Sequence, residues 1–345
     1  MIETNLQLSV KGLPEQDAYS VGGALHEIIQ VAREIDEKLD LRRMFRIIIT
    51  TTYSAELADL SSATASGKPL THTDEEYAIG VAQVLILPKE DGFELLPVID
   101  AKIVMPLISE ESTQEVTLAE RSCFHLLHHE LCHVHDNNKK IEAFPELLLK
   151  HCHVGKDSYI RPLAEVCWCE FIANTMSSAS APVESIQDMV NSLAEAILRT
   201  KPTLDKAILE YRYHGDLDSL LNMFRRHGEF LIKTAAYVLG YLEGRQKQLS
   251  DFSVAAADSL QGSYFESTWS AMQTALKQML ENYPHGWKDL SIYDALAETI
   301  EGYYAVMGFI LLDTDSGVYV EIPERPETDP LLHPRPFNRE SGTVD

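Results

Sequence analysis

One short segment of the 345-residue chain gathers the groups that bind and activate: His129-Glu130-Leu131-Cys132-His133. On an α-helix, residues i and i+4 lie one turn apart on the same face, so His129 and His133 can aim ring nitrogens at one ion. Neutral imidazole is a good donor to Zn2+, and a catalytic zinc takes three protein ligands and keeps a position for water. At 3.6 residues per turn, Glu130 stands about 100° around the helix from His129 and about 60° from His133. Its carboxylate is therefore set beside the ion rather than on it. There it can take the proton of a zinc-bound water, whose pKa falls to about 7, and return it to a leaving amine. The pattern alone recurs by chance; its expected place on a helix that follows a β-rich region gives it weight.

The third ligand decides the kind of site. The metzincin continuation needs a glycine at 136 and a histidine at 139, and the chain has Asp136 and Lys139. The other solution takes a glutamate from a second helix downstream. Glu170, in Ala164-Glu165-Val166-Cys167-Trp168-Cys169-Glu170-Phe171-Ile172-Ala173-Asn174, follows His133 by 37 residues, room for a connection and a returning helix. Ala173 allows close helix packing, and Asn174, one turn on from Glu170, is placed to hydrogen-bond a ligand histidine. Glu165 is the alternative ligand, on another face of the same helix. With HExxH on one helix and ExxAN on the next, residues 77–178 resemble the gluzincin metallopeptidases, and in their compactness the ImmA/IrrE-type peptidases. The resemblance implies an α+β, zincin-like fold with a small twisted sheet packed on the HExxH helix and a mainly helical C-terminal region. It implies a zinc peptidase with ligands His129, His133 and Glu170, base Glu130, and a peptide or protein substrate, including a single regulatory protein. Thermolysin-like relatives carry Asp where this chain has Asn174, a departure that removes a carboxylate from that position. The alternative is an inactive metal-binding module of the same fold that engages a protein partner through its helical region.

Several other groups have chemistry to offer. Oxyanion stabilisation near a zinc comes from Tyr, His or Arg, and Tyr159, Arg161 and Tyr211-Arg212-Tyr213-His214 are the candidates, Tyr159 and His214 foremost. His125 continues the stripe 125, 129, 133 one turn back. Cys167-x-Cys169 with His151-Cys152-His153 could build a structural zinc site, although two thiols two residues apart on a helix diverge by about 200°. Cys132, Trp168, Phe171 and the aromatic stripe Phe224, Phe230, Tyr237, Tyr241 read as packing.

The elements that must position these residues follow from periodicity. Residues 24–40 form an amphipathic helix and 45–52 a β-branched strand. Residues 79–87 and 93–99 form a hairpin, and 102–108 a further strand, either of which could hold a substrate chain by β-augmentation. Residues 61–75 read as a polar loop. Helical spacing runs from 113 to about His135, where Asn137-Asn138 would stop it, and a short helix follows at 141–150. A second helix spans 162–177, and further helices 184–200, 203–213, 216–247, 263–282 and 290–308. Residues 309–313 and 318–322 close in a hairpin, and the Pro-rich tail from 323 is extended or disordered. Three parts result: a core at 1–180, a helical subdomain at 181–312, and a closing strand and tail at 313–345.

The net charge of −24 disfavours nucleic-acid and anionic-lipid binding by bulk electrostatics. No apolar run is long enough to span a membrane. Five cysteines and no apparent signal peptide point to reduced thiols in a cytoplasmic setting.

Overall fold

The computed structural model describes residues 6–64, 74–75, 78–79, 81–108, 116–144 and 153–333. Strand β1 (Gln7–Lys11), helix α1 (Glu15–Ile35) and strand β2 (Arg46–Thr50) make a parallel βαβ unit. Helix α2 (Tyr53–Leu60) leads on towards the hairpin of β3 (Ala82–Lys89) and β4 (Gly92–Asp100). The sheet order is β1-β2-β4-β3, with β4 parallel to β2 and β3 an antiparallel edge. In register, Ile48 faces Val98, and Val84 faces Pro97. β2 is buried from Ile47 to Thr50, so its sequence is an unbroken apolar run rather than an alternation.

Helices cover both faces of the sheet. On one, Leu25, Ile29 and Ala32 of α1 meet Cys123, Leu127, Leu131 and Val134 of helix α3 (Leu118–Ala143). On the other, Tyr53 and Leu57 of α2 pack on Ile48, Leu85, Leu96 and Val98. The start of α3 is fixed by a capping box: Glu120 N–H donates to Thr117 Oγ1 at 3.2 Å, and Thr117 N–H to the Glu120 carboxylate at 2.6 Å. The helix does not stop at Asn137-Asn138. Asn138 is spent on tertiary bonds, its Nδ2 donating to the Asp40 carbonyl at 2.7 Å and its Oδ1 accepting from Arg43 at 2.7 Å, so α3 runs on to Ala143. Residues 102–108 are helical instead of a strand, because Asp100 accepts from the Lys102 N–H at 2.9 Å and caps a turn there.

Helix α4 (Asp157–Ser177) returns antiparallel to α3 and belongs to both halves of the molecule. Its Ile160, Leu163, Trp168, Phe171 and Ile172 enter a large core with the following helices, while Ala173 enters the core under the sheet. Helix α5 (Val183–His214) is continuous where the sequence reads as two helices, since Leu193, Ile197, Leu204 and Ile208 keep one buried face across Pro202. The segment 216–247 is three elements: α6 (Leu217–Met223), a π-helical turn (Phe224–Glu229) and α7 (Phe230–Arg245). Helices α8 (Glu266–Glu281) and α9 (Asp294–Met307) and the hairpin β5 (Ile310–Thr314) and β6 (Gly317–Glu321) complete the described chain. Beyond the hairpin the chain is not loose up to 333: Thr328 is buried, and Arg325 donates to the Met307 carbonyl at 3.0 Å and meets Asp205 at 3.3 Å. Of the expected loop at 61–75, residues 61–63 form a 3-10 turn and 74–75 a two-residue strand, while 65–73 and most of the short helix at 141–150 lie outside the described residues. No helix among the described residues is long and apolar enough to cross a membrane.

Candidate metal centre

The centre forms where α3, α4 and α7 meet. His129 and His133 project from successive turns of α3, their Nε2 atoms 2.9 Å apart. Glu170 of α4 brings Oε2 to 3.3 Å from His129 Nε2 and 3.5 Å from His133 Nε2. The circle through three atoms so spaced has a radius of about 1.9 Å. One point about 0.8 Å off their plane is thus about 2.0–2.1 Å from all three, the bond length of a small divalent metal to nitrogen or oxygen. The buried Oε2 of Glu170 makes no well-aligned hydrogen bond with either ring, whereas the two ring nitrogens meet each other at hydrogen-bond distance.

Glu130 lies beside this triangle, and His129, Glu130 and His133 form a group that could hold a metal ion, with ligand atoms within 4.8 Å of one another. Two carboxylates therefore compete for the third position. The shorter reach of Glu170 to both rings favours it, while Glu130, 7% exposed, keeps a buried Oε2 with no hydrogen-bond partner among the described residues. The charges are strongly coupled. Burial works to protonate Glu170, but His133 and then His129 more than reverse this and hold it well below the carboxylate range. Burial likewise opposes charge on His133, yet Glu170, Glu130 and Asp136 outweigh it and carry the ring to about 9. For Glu130 burial prevails over the two histidines and, with Glu170 adding to it, pushes the carboxyl up.

Asn174 is one turn from Glu170, but it does not bond a ligand histidine: its Nδ2 donates to the Tyr237 carbonyl at 3.2 Å, tying α4 to α7. Tyr159 is not brought to the centre either. It sits eleven residues before Glu170 on the same helix, about 16 Å along the axis. His214, at the exposed end of α5, accepts the Asp216 N–H at 3.0 Å on Nδ1, and Arg161 is engaged by Asp157 and Asp294. Glu165 faces elsewhere, its Oε1 3.0 Å from His153 Nε2.

The paired-thiol site does not form from the described residues. Cys167 is buried in the helical core with its thiol towards the Ile232 carbonyl, 3.9 Å away, whereas Cys169 Sγ meets Lys140 Nζ at 2.8 Å. His151 and Cys152 lie outside the described residues. His125 is not a ligand: its Nε2 is 2.7 Å from the Tyr241 hydroxyl and its Nδ1 3.1 Å from Ser180 Oγ. Asp136 accepts from Trp168 Nε1 at 3.1 Å and pairs with the buried Lys140 at 2.6 Å, a bracket between α3 and α4 just below the centre.

Sequence reasoning missed Tyr237. Its ring lies nearly parallel to that of His129, at 10° with centroids 6.3 Å apart. Burial, then the charge of Glu170, raise the phenol far above its usual range. A tyrosine on an apolar helix reads as packing; only the glycines three and seven residues on, Gly240 and Gly244, hint that this helix comes close to another. A Cβ on Gly240 would lie 2.5 Å from the Phe171 carbonyl oxygen, and one on Gly244 2.3 Å from that of Thr175.

Comparison with protein-family profiles, curated proteins and solved structures gave no match to this chain.

Proposed function

We propose that the chain is a zinc-dependent peptidase of zincin-like fold, with Zn2+ held by His129, His133 and Glu170 and with Glu130 as the base. The observation that carries this reading is the convergence of three ligand atoms on one point beside a buried, unpaired carboxylate. Two imidazoles and one carboxylate are a donor set of hydrolytic zinc sites. At bond lengths near 2.05 Å, ligand atoms stand about 3.3 Å apart in a tetrahedron and about 2.9 Å apart on an octahedral face. The edges to Glu170, 3.3 and 3.5 Å, match the tetrahedron and the 2.9 Å edge between the histidines the octahedral face, so the choice of zinc rests on the donor set.

When bound, the ion supplies Lewis acidity, drawing charge from a carbonyl oxygen and lowering the pKa of a water to about 7. Glu130, made more basic by its burial, accepts the proton of the attacking water and delivers it to the departing amine. The edge strand β3 packs against α3, and an extended peptide can add to such an edge as a further strand. The side chains of His129, His133 and Glu170 are only 12, 15 and 17% exposed. So recessed a centre suits one extended segment, as in a single regulatory protein, better than general digestion. Cys123, Cys132, Cys167 and Cys169 are free thiols, consistent with a reducing, cytoplasmic setting.

One observation favours the second reading, a metal-binding interaction module without hydrolysis. A cavity of about 1020 Å3, lined by His135, Lys139, Ile172, Tyr283 and Trp287 among others, opens on the opposite faces of α3 and α4 rather than at the centre. A peptide library read by mass spectrometry, with wild type beside Glu130→Gln and metal content measured on both, separates the two. The peptidase reading expects one zinc in each protein and cleavage by wild type alone. One zinc in each with no cut peptides, or equal cleavage by both, would sink it.

A further inference from the structure

We propose that Cys169 and Lys140 form a site of reversible oxidative cross-linking, in which dioxygen leaves one oxygen atom bridging the sulfur of α4 to the nitrogen of α3. The site is independent of any metal. Lys140 Nζ stands 2.8 Å from Cys169 Sγ. Hydrogen bonds from N–H to oxygen run about 2.7–3.2 Å, and sulfur is the larger atom, so this contact is closer than a hydrogen bond to sulfur requires. It is the spacing that a single bridging oxygen spans, too wide for a direct sulfur–nitrogen bond and too short for an intervening water.

The amine is aimed at the sulfur. Its side chain is 7% exposed, and Asp136 holds it from the other side at 2.6 Å. Asp136 is fixed in turn by Trp168 Nε1 at 3.1 Å, one residue before Cys169 on α4. A solvated lysine samples many rotamers, whereas this one has little freedom to leave the thiol. Among the described free cysteines, Cys123, Cys132 and Cys167 are buried and Cys169 is partly exposed, so an oxidant reaches it first. Cys167, two residues earlier, turns its sulfur to the Ile232 carbonyl, so the two do not form a disulfide. Sulfur oxidised at Cys169 therefore has the Lys140 amine as its neighbour, and oxidised thiols condense with nitrogen. Burial lifts the thiol to about 11, so the reaction is slow at neutral pH and calls for long exposure to air.

In the reaction the S–H bond of Cys169 and two N–H bonds of the Lys140 ammonium break, and S–O and O–N bonds form. Sulfur and nitrogen each give up two electrons, and dioxygen, its O–O bond cleaved, takes all four. One oxygen atom stays as the bridge, the other leaves as water, and one proton is released. A nitrogen bonded to oxygen is weakly basic, so the positive charge beside Asp136 disappears. At the same time α3 and α4 become covalently joined one residue from Glu170.

The full chain, reduced and then freed of reductant, is kept under oxygen or under argon, and its intact mass is measured without reductant. Under oxygen, wild type is expected to gain one oxygen atom less two hydrogens and to lose the gain again with a dithiol; under argon its mass stays. Proteolysis of the oxidised protein is expected to yield the peptides of Lys140 and Cys169 joined. Cys169→Ser and Lys140→Arg, the second keeping a cation for Asp136, are expected to show neither. An unchanged mass under oxygen overturns the proposal, as does oxygen on Cys169 with Lys140 free. Loss of two hydrogens alone, the mark of a direct sulfur–nitrogen bond or a disulfide, overturns it too, and so does the same gain in Lys140→Arg. Should Lys140→Arg fail to fold, the joined peptides of wild type decide.

Discussion

Replacing Gly240 by alanine sets two effects of similar size against each other. In a helix interior alanine is better than glycine by about 1 kcal/mol, so propensity alone predicts a more stable protein. Against this, the new methyl carbon would stand 2.5 Å from the Phe171 carbonyl oxygen and 2.8 Å from Asn174 Cβ. Relief to an ordinary contact requires α7 and α4 to part by about 0.9 Å, in an interior that is close-packed. The obstacle is a helix backbone rather than the end of a side chain, so it cannot swing aside. Overpacking of this sort costs about 1–3 kcal/mol, and the net expectation is a loss of about 1–2 kcal/mol. Urea unfolding of the apo protein checks it. The same separation shifts Tyr237, three residues earlier, away from the His129 ring it stacks along, so zinc affinity should fall beside the stability loss. A Gly240→Ala protein as stable as wild type, with unchanged zinc affinity, would refute the claim that close approach of α7 and α4 builds the centre.

Glu170→Ala should leave a two-histidine site that loses zinc to a chelator at concentrations where wild type keeps one equivalent, as read by metal analysis after dialysis. Zinc at a hundred times its dissociation constant should stabilise wild type by about 2.7 kcal/mol, and Glu170→Ala by little, in matched thermal melts. Lys140→Met strands the Asp136 carboxylate, 1% exposed, and should cost about 3–5 kcal/mol in urea, much of it recovered by adding Asp136→Asn. His125 is held down to about 3 by burial first and then by His129 and His128. Below its unfolded value near 6.5 the unfolded chain therefore binds the proton that the folded chain refuses, and stability falls with pH from there to about 3, by on the order of 4 kcal/mol. His125→Gln should lose distinctly less than wild type between pH 7 and pH 4 in urea titrations; an equal loss would remove His125 from the account.

Local signals made much of this frame legible. The i, i+4 histidines, the β-branched run at Arg46–Thr50 and the hairpin around Glu90-Asp91 are each written in a few adjacent residues, and the structure has them. That Glu170 meets both rings followed from spacing between two helices and the returning chain. The errors lie where a side chain's partner is distant in sequence. Asn138 looked like a helix stop because its bonds to Asp40 and Arg43 are invisible in its neighbours. Asn174 reads as a partner of a histidine, and Tyr237 as packing, because only the approach of α7 to α4 shows that the amide bonds the Tyr237 carbonyl and the phenol ring lies along His129. The strand at 102–108 was read from apolar content, and one capping aspartate at the end of β4 was enough to coil it.

Helix α4 is shared by two hydrophobic cores, and the three ligand atoms are divided accordingly: two on α3, which belongs to the sheet, and one on α4, which faces mainly into the helical core. An ion held there is a removable cross-link between the halves, closing a loop of 37 residues between His133 and Glu170. Its binding free energy enters the association of the halves as well as the local site. Chelation should therefore loosen the seam first, so that amide exchange rises along facing surfaces of α3 and α4 before either core opens. With the proposed ion bound, the supply of metal would set how firmly the two halves hold together.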